Sequence, residues 1–218
     1  MSTQVVRLAT QADQIELMRL RVEAERWLAR AGIDQWRTAG FRDRALEKWR
    51  IDIENGRTWI VTESGEAVGT VTLANPDRDF WTFEDSPDSA LYVAKLITSR
   101  AVSGQNLGGR ILDWVGAVAV KANRPWIRLD CWRSNTALQG YYLQEGFEHV
   151  RTEAPPHRLS GWMAQRSSSV VMHPGNPLRE AESLSLGTTT EPSFTATCGQ
   201  RLPGDTAAPG ASNASSGE

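Results

Sequence analysis

The sequence predicts an α/β domain whose mixed central sheet is flanked by helices. Three observations carry this expectation. The apolar run Leu91–Thr98 leads into the turn Ser103-Gly104-Gln105-Asn106-Leu107-Gly108-Gly109, after which Leu107, Ile111, Val115, Val118 and Ala122 recur at helical spacing. A second strand-then-helix unit follows, from Pro125–Cys131 to Asn135–Glu145. A hairpin before these units and short strands after them require antiparallel pairing, so the sheet is mixed rather than doubly wound and parallel.

Taken in order, Val5–Leu8 reads as a first strand. Thr10 and Asp13 have the spacing of a capping box, opening a helix that carries Ile15, Met18, Val22, Leu28 and Ala29 and stops at Gly32. Asp43–Asn55 is a second helix, with Leu46, Trp49, Ile51 and Ile53 as its apolar residues. Trp59–Thr62 and Ala67–Leu73 pair across Ser64-Gly65 as a hairpin. Strand Ala90–Thr98, the glycine-rich turn, helix Gly108–Asn123, strand Trp126–Cys131 and helix Asn135–Glu145 follow, the last ended by Gly146. Strands near Glu148–Thr152 and Trp162–Arg166 close the domain.

A strand, a glycine-rich turn and a helix in that order make a cradle for a phosphate-bearing ligand. Glycines let the backbone come close, successive N–H groups converge, and the helix N-terminus adds about half a positive charge. No Gly-Lys-Ser/Thr follows, so the turn is not a P-loop, and the spacing is not that of a Gly-x-Gly-x-x-Gly dinucleotide fingerprint. The plain alternative is a simple strand–turn–helix corner.

The downstream residues discriminate. Asn135, Leu138, Tyr142, Gly146 and Phe147 stand at the spacing Asn-x-x-Ala-x-x-x-Tyr-x-x-x-Gly-Phe, with Leu138 at the Ala position. This resembles the Gcn5-related N-acetyltransferase (GNAT) family, whose earlier motif is Arg/Gln-x-x-Gly-x-Gly/Ala. In that motif Ser103 stands where Arg or Gln is usual, Asn106 where Gly is usual, and Gly108 matches the final small residue. Asn tolerates left-handed backbone angles better than other non-glycine residues. The two motifs span Ala90 to Phe147, and the element order is similar from Val5 to Arg166.

The resemblance implies a GNAT-like acyl-CoA N-acyltransferase fold and acetyl-CoA as co-substrate. By this likeness, backbone groups of Ile97 and Thr98 would meet the pantetheine arm. N–H groups of the turn, from Ser103 and Gly104 through Gln105, Asn106, Leu107 and Gly108 to Gly109, would hold the pyrophosphate. Asn135 would touch the cofactor while capping its helix. Tyr142 would protonate the leaving thiolate, since a phenol donates to a thiolate without itself being ionised at neutral pH. Its other reading is a core tyrosine beside Tyr141. Asp130, at the end of a strand, is either the base or amine-binding carboxylate, or an ion-pair partner of Arg128 or Arg133. The function implied is transfer of an acetyl group to a primary amine of a small molecule or peptide by direct attack. The alternative is a non-catalytic acyl-CoA-binding module.

The 218 residues bring 24 basic and 26 acidic side chains, a net charge of −2, which carries no nucleic-acid or anionic-membrane footprint. The stretch after Met1 lacks a secretory pattern and no run approaches a membrane span, so cytoplasmic residence is expected. Cys131 and Cys198 indicate no disulfide framework, and His149, His157 and His173 show no metal-ligand spacing. The segment Asn75–Ser89 gathers Asp77, Asp79, Glu84, Asp85 and Asp88 with Phe80, Trp81 and Phe83. It is either a rim for a cationic amine or a solvated loop with packing aromatics. Residues 1–166 are expected to form the domain. Residues 167–218, rich in Ser, Thr, Pro, Gly and Ala, are expected as a disordered tail. The expected partners are the amine substrate and, as an open possibility, a second copy of the chain.

Overall fold

The computed structural model describes residues 3–36 and 41–181. Among these residues eight strands form one sheet: β1 (Gln4–Leu8), β2 (Thr58–Glu63), β3 (Glu66–Ala74), β4 (Ala90–Thr98), β5 (Trp126–Trp132), β6 (Glu148–Thr152), β7 (Ser160–Ser167) and β8 (Arg179–Glu180). Their spatial order is β6-β7-β5-β4-β3-β2-β1-β8. The β4–β5 and β1–β8 pairs are parallel and the others antiparallel, which makes the sheet mixed as expected. The helices are α1 (Gln14–Arg30), α2 (Phe41–Glu54), α3 (Leu107–Lys121) and α4 (Thr136–Gln144).

The hairpin turns through Ser64 and Gly65, both at positive φ, the backbone that a two-residue hairpin with native twist needs. At the start of the first helical segment, Asp13 accepts the Thr10 N–H at 2.7 Å and the Thr10 hydroxyl at 2.9 Å. The buried stripe of α1 differs from the expected one. It consists of Leu17, Leu20, Arg21 and Leu28, while Ile15 is 80% exposed. The true stripe keeps the helical period but includes an arginine, whose guanidinium is held by Glu25.

Core is laid on both faces of the sheet. Leu17, Leu20, Trp49 and Ile53 from α1 and α2 pack with Ile60, Ala67 and Ile97. On another side, Leu107, Ile111, Leu112 and Val115 from α3 pack with Val71, Leu129 and Phe147. Full burial of Ile111 and Val115 contributes about 1.5–3 kcal/mol each.

The chain does not leave the domain at Arg166, where the tail was expected to begin. Residues 168–181 run back across α3 to the far edge of the sheet. Asp113 accepts the N–H groups of Met172 and His173, Arg110 donates to the Asn176 carbonyl at 2.6 Å, and Leu178 is buried. Strand β8 then pairs with β1, and Trp114 donates to Glu180 at 3.0 Å. The polar composition of this stretch hid it, because its attachment is by hydrogen bonds and one leucine rather than by an apolar stripe. The remainder of the expected tail, residues 182–218 with Cys198, lies outside the described residues.

The acidic segment 75–89 is a loop held by arginines from β6 and from the residues between β6 and β7. Arg151 binds Asp85 at 2.6 Å, Arg158 binds Asp77 at 2.5 Å and also Asp79, and Phe80 and Trp81 are buried. These pairings favour the packing reading over the amine-attracting rim. The three histidines sit in separate places: His149 stacks on Trp162, His157 faces Asp79, and His173 meets Glu145.

Candidate active site

The site originates in a failure of strand pairing. β4 and β5 are in register only over Ala90–Tyr92 and Trp126–Arg128. Beyond Tyr92 the two strands part, and the edge of β4 that would have met β5 is left open. A bulge reinforces the opening. Thr70 and Thr72 of β3 face Ile97 and Ala94, so β4 carries one extra residue there, and Lys95 adopts a positive φ of 51°. The non-glycine bulge is held by its own side chain, whose ammonium pairs with Asp52 of α2 and lies 5.7 Å from the Trp49 ring. Burial pushes the Lys95 ammonium below its ordinary range, and Asp52 works against that.

A cavity of about 650 Å³ fills the opening, lined along one side by Val93 through Thr98 and along the other by Asp130, Cys131 and Trp132. Ile97, Thr98, Gly108 and Asn135 of the expected cofactor set are in its wall, as is Tyr142. Ile97 and Thr98 spend one backbone edge on β3 and turn the other toward the cavity.

Of the glycine-rich turn, Gly108 is in the wall of this cavity, while Ser103 to Leu107 and Gly109 stand outside its lining. Gly104 and Asn106 are left-handed, at φ 82° and 53°, so the asparagine does what glycine does at this position. Asn106 is the N-cap residue of α3. The first N–H groups of that helix have no carbonyl one turn back and are available to an anion. Leu107 and Gly109 can offer only their backbone: the Leu107 side chain is core, and a Cβ on Gly109 would lie 2.1 Å from His173. Ser103, Gly104, Gln105 and Asn106 are exposed. Gly108 is needed for close approach, because a Cβ there would lie 2.4 Å from the Tyr141 hydroxyl.

Asn135 is 3% exposed, and both ends of its amide are used within the protein. Its oxygen caps α4 by accepting from the Leu138 N–H at 3.1 Å, and its nitrogen donates to Gln35 at 2.8 Å. The neighbouring Asp34 accepts from Trp132 at 2.9 Å and from Ser134 at 3.0 Å. A short strap after α1, residues 33–36, is thereby fastened to the corner between β5 and α4. Trp36 of that strap lies under the Arg21 guanidinium at 4.4 Å. Sequence reasoning missed Gln35, Trp36, Lys95 and Ser160, all of which line the cavity. Only the lysine within an apolar strand gave a signal.

Asp130 is half-buried, and burial pushes its carboxyl up to about 6, against the Ser160 hydroxyl beside it, which favours the charged form. The arginines considered as its partners are engaged elsewhere. Arg128 donates to Gln165 at 3.2 Å and to the Asp85 carbonyl at 2.7 Å, and Arg133 donates to the Arg158 carbonyl at 2.7 Å. Tyr142 is buried against Phe147, with Cys131 and Asp130 among the groups that bear on its phenol. Burial raises this phenol well above its ordinary range, so it remains protonated. Tyr141 faces Gly108, Glu145 and Arg166 instead. The Cys131 thiol is pushed up to about 12 by burial and carries almost no thiolate at neutral pH.

The arrangement therefore offers an open strand edge, an anion cradle at a helix N-terminus, a protonated phenol and a carboxylate that titrates near neutrality. Proteins similar to this chain in sequence and fold are acetyltransferases. The profile described as the acetyltransferase (GNAT) family matches residues 21–147. A Bacillus subtilis protein named as the uncharacterized N-acetyltransferase YesJ is 27% identical over 155 residues, 69% of this chain and 85% of that protein. A GNAT-family acetyltransferase structure from Listeria monocytogenes is 25% identical, with a TM-score of 0.62 over 75% of this chain and 94% of that one. The PaiA N-acetyltransferase of Thermoplasma acidophilum, solved in complex with coenzyme A, shares the fold at 14% identity. Its TM-score is 0.56, over 76% of this chain and 99% of that one. Geometry and comparisons converge: the chain belongs to the acetyltransferase (GNAT) family and is an acyl-CoA-dependent N-acyltransferase.

Proposed function

We propose that the protein moves the acetyl group of acetyl-CoA to a primary amine of a small molecule or peptide by direct attack. The observation that carries this reading is the meeting of Tyr142 and Asp130 where β4 and β5 part, beside the open edge of β4. A coenzyme A complex in a protein of the same fold supports the choice of cofactor.

The residues present fit the co-substrate. The β4 edge from Val93 to Thr98 offers backbone donors and acceptors to an extended amide-bearing arm, and the α3 N-terminus offers N–H groups to its pyrophosphate. Holding the thioester next to a bound amine is itself worth about 7–11 kcal/mol of barrier for well-oriented reactants. Asp130 takes a proton from the incoming ammonium, which frees the nitrogen lone pair. The nitrogen then bonds to the thioester carbonyl carbon, and the C–S bond breaks with its electron pair left on sulfur. Tyr142 gives that sulfur its proton and recovers one from solvent. The second N–H proton of the attacking nitrogen leaves to water, and the products are the acetamide and the free thiol. Cys131, held as a thiol by burial, is a weak nucleophile toward the thioester. An unpaired Cys131 also fits work in a reducing, cytoplasmic compartment.

The test is thiol release from acetyl-CoA across a panel of amines, with the acetylated product identified by mass. Release above background with at least one amine is the expected result. Binding of acetyl-CoA without release for any amine, peptide N-termini included, overturns the reading.

A further inference from the structure

The charge of the cavity wall selects among amines. Among the described residues, five of its lining side chains are basic, namely Arg21, Arg44, Lys48, Lys95 and Arg100, and one, Asp130, is a carboxylate. Arg100 belongs to the phosphate end: it directly follows β4 and Ser99, and its guanidinium stacks 5.0 Å from the Trp27 ring. The other four come from α1, α2 and the β4 bulge. Lys95 precedes Thr98 by three residues, which sets it about 10 Å back along the strand from Thr98, at 3.3 Å per residue, and farther still from the turn. That places it on the thioester half of the cavity.

Among the described residues, one cation of this half, Lys48, is left without a paired carboxylate. Arg21 is paired with Glu25 at 2.8 Å, and Lys95 with Asp52. Asp52 is shared with Arg57 at 2.8 Å, and Glu25 with Arg42 at 2.8 Å, so each carboxylate already serves two cations. Lys48 stands one helical turn before Asp52, close enough to Lys95 for its charge to disfavour the Lys95 ammonium. No carboxylate among the described residues is paired with Lys48. A polyamine or other purely cationic acceptor meets repulsion along this wall, and an acceptor bringing its own negative group relieves it.

We propose that the acceptor is an amino carboxylate, its amine directed to Asp130 and its carboxylate to the wall formed by Lys48 and Lys95. This inference rests on the acetyl-transfer reading and names its substrate class. The two ends of the acceptor then answer to different parts of the chain: the amine to the end of β5, and the carboxylate to α2 and the bulge.

The experiment compares matched pairs as acceptors with acetyl-CoA at one pH: phenylalanine against phenethylamine, methionine against 3-(methylthio)propylamine, and β-alanine against ethylamine. The expected result is a kcat/KM at least about tenfold higher for the carboxylate member of a pair, the effect of one charge-assisted contact. Lys48→Gln shrinks that ratio toward one through a higher KM for the carboxylate member, with the KM for acetyl-CoA unaltered, and Lys48→Arg preserves the ratio. Equal or better turnover of the carboxylate-free members overturns the inference and leaves acetyl transfer standing. A Lys48→Gln protein whose acetyl-CoA KM rises while the ratio holds also overturns it, and assigns Lys48 to the cofactor phosphates. Absence of thiol release from both members of every pair, with release from another amine of the wider panel, also overturns the inference. Absence of release from every amine of that panel, peptide N-termini included, removes the transferase reading beneath it.

Discussion

The Asn135 side-chain nitrogen donates to the Gln35 oxygen over 2.8 Å, a buried contact between residues 100 positions apart. It ties the strap behind α1 to the start of α4, and with it one wall of the cavity to another. Gln35→Leu removes the acceptor and leaves the Asn135 N–H₂ buried without it, at a cost of about 1–3 kcal/mol. The expected outcome is a lower Tm together with a raised acceptor KM, since the strap that carries Trp36 loses its tie to the start of α4. Thermal melts and acceptor titrations check it. Gln35→Glu, which keeps the acceptor, is expected to retain most of the Tm.

Tyr142→Phe keeps the ring against Phe147 and removes only the hydroxyl. If the phenol protonates the leaving sulfur, kcat falls by about 10²–10⁴ and acetyl-CoA affinity is little changed. Single-turnover kinetics and calorimetry separate the two quantities. Tyr141→Phe, which alters the phenol over Gly108, is expected to leave the chemical step far less affected.

Asp130 gives a pH signature of defined sign. Its carboxyl is raised by burial from 3.8 to about 6, so the base form is gained as pH rises through about 6. The rate profile should show an acidic limb there, and Asp130→Asn should lose both turnover and that limb. Stability moves the opposite way. Between pH 3.8 and about 6 the unfolded chain gives up this proton while the folded chain keeps it, so this group's contribution to stability declines as pH rises across that window. In Asp130→Asn the decline is absent, which melts at pH 4 and pH 7 will show.

Gly108→Ala places a methyl 2.4 Å from the Tyr141 hydroxyl. Overpacking of this kind costs about 1–3 kcal/mol, and the displaced ring moves into the cavity. Weaker acetyl-CoA binding and a lower Tm are expected. The double variant Gly108→Ala/Tyr141→Phe, with the clashing oxygen deleted, should recover part of both. Failure of the double variant to recover would show that the helix backbone, not the phenol, sets the requirement for glycine.

Truncation separates two parts of the C-terminal region. Ending the chain after Arg166 discards the burial of Leu178, worth about 1.5–3 kcal/mol, and the contacts of Asp113 and Arg110 with residues 172–176. A clear fall in Tm is expected. Ending it after Ala181 retains all of these contacts and is expected to melt close to the full-length chain. Circular dichroism melts of the two truncations decide it.

The chain order of most elements, the hairpin at Ser64-Gly65, the glycine-rich turn and the spacing from Asn135 to Phe147 were all determined by sequence alone. Each is local, because a turn residue, a cap or a helical period acts over a few neighbouring positions. The same locality explains what was missed. Ile15 fits a helical period but faces solvent, because the direction of the buried stripe is chosen by the sheet that α1 packs on. The 168–181 strap looked like tail because hydrogen bonds to Asp113 and Val6 leave no mark on its own composition. The chemistry of Asp130 and Tyr142 depends on burial, and burial depends on where β4 and β5 part. Sequence alone named these two residues. Only the tertiary structure set them in one cavity, tied Asn135 to Gln35 across 100 residues and gathered cations from α1, α2 and β4 onto one wall, because those contacts exist only after distant segments have packed.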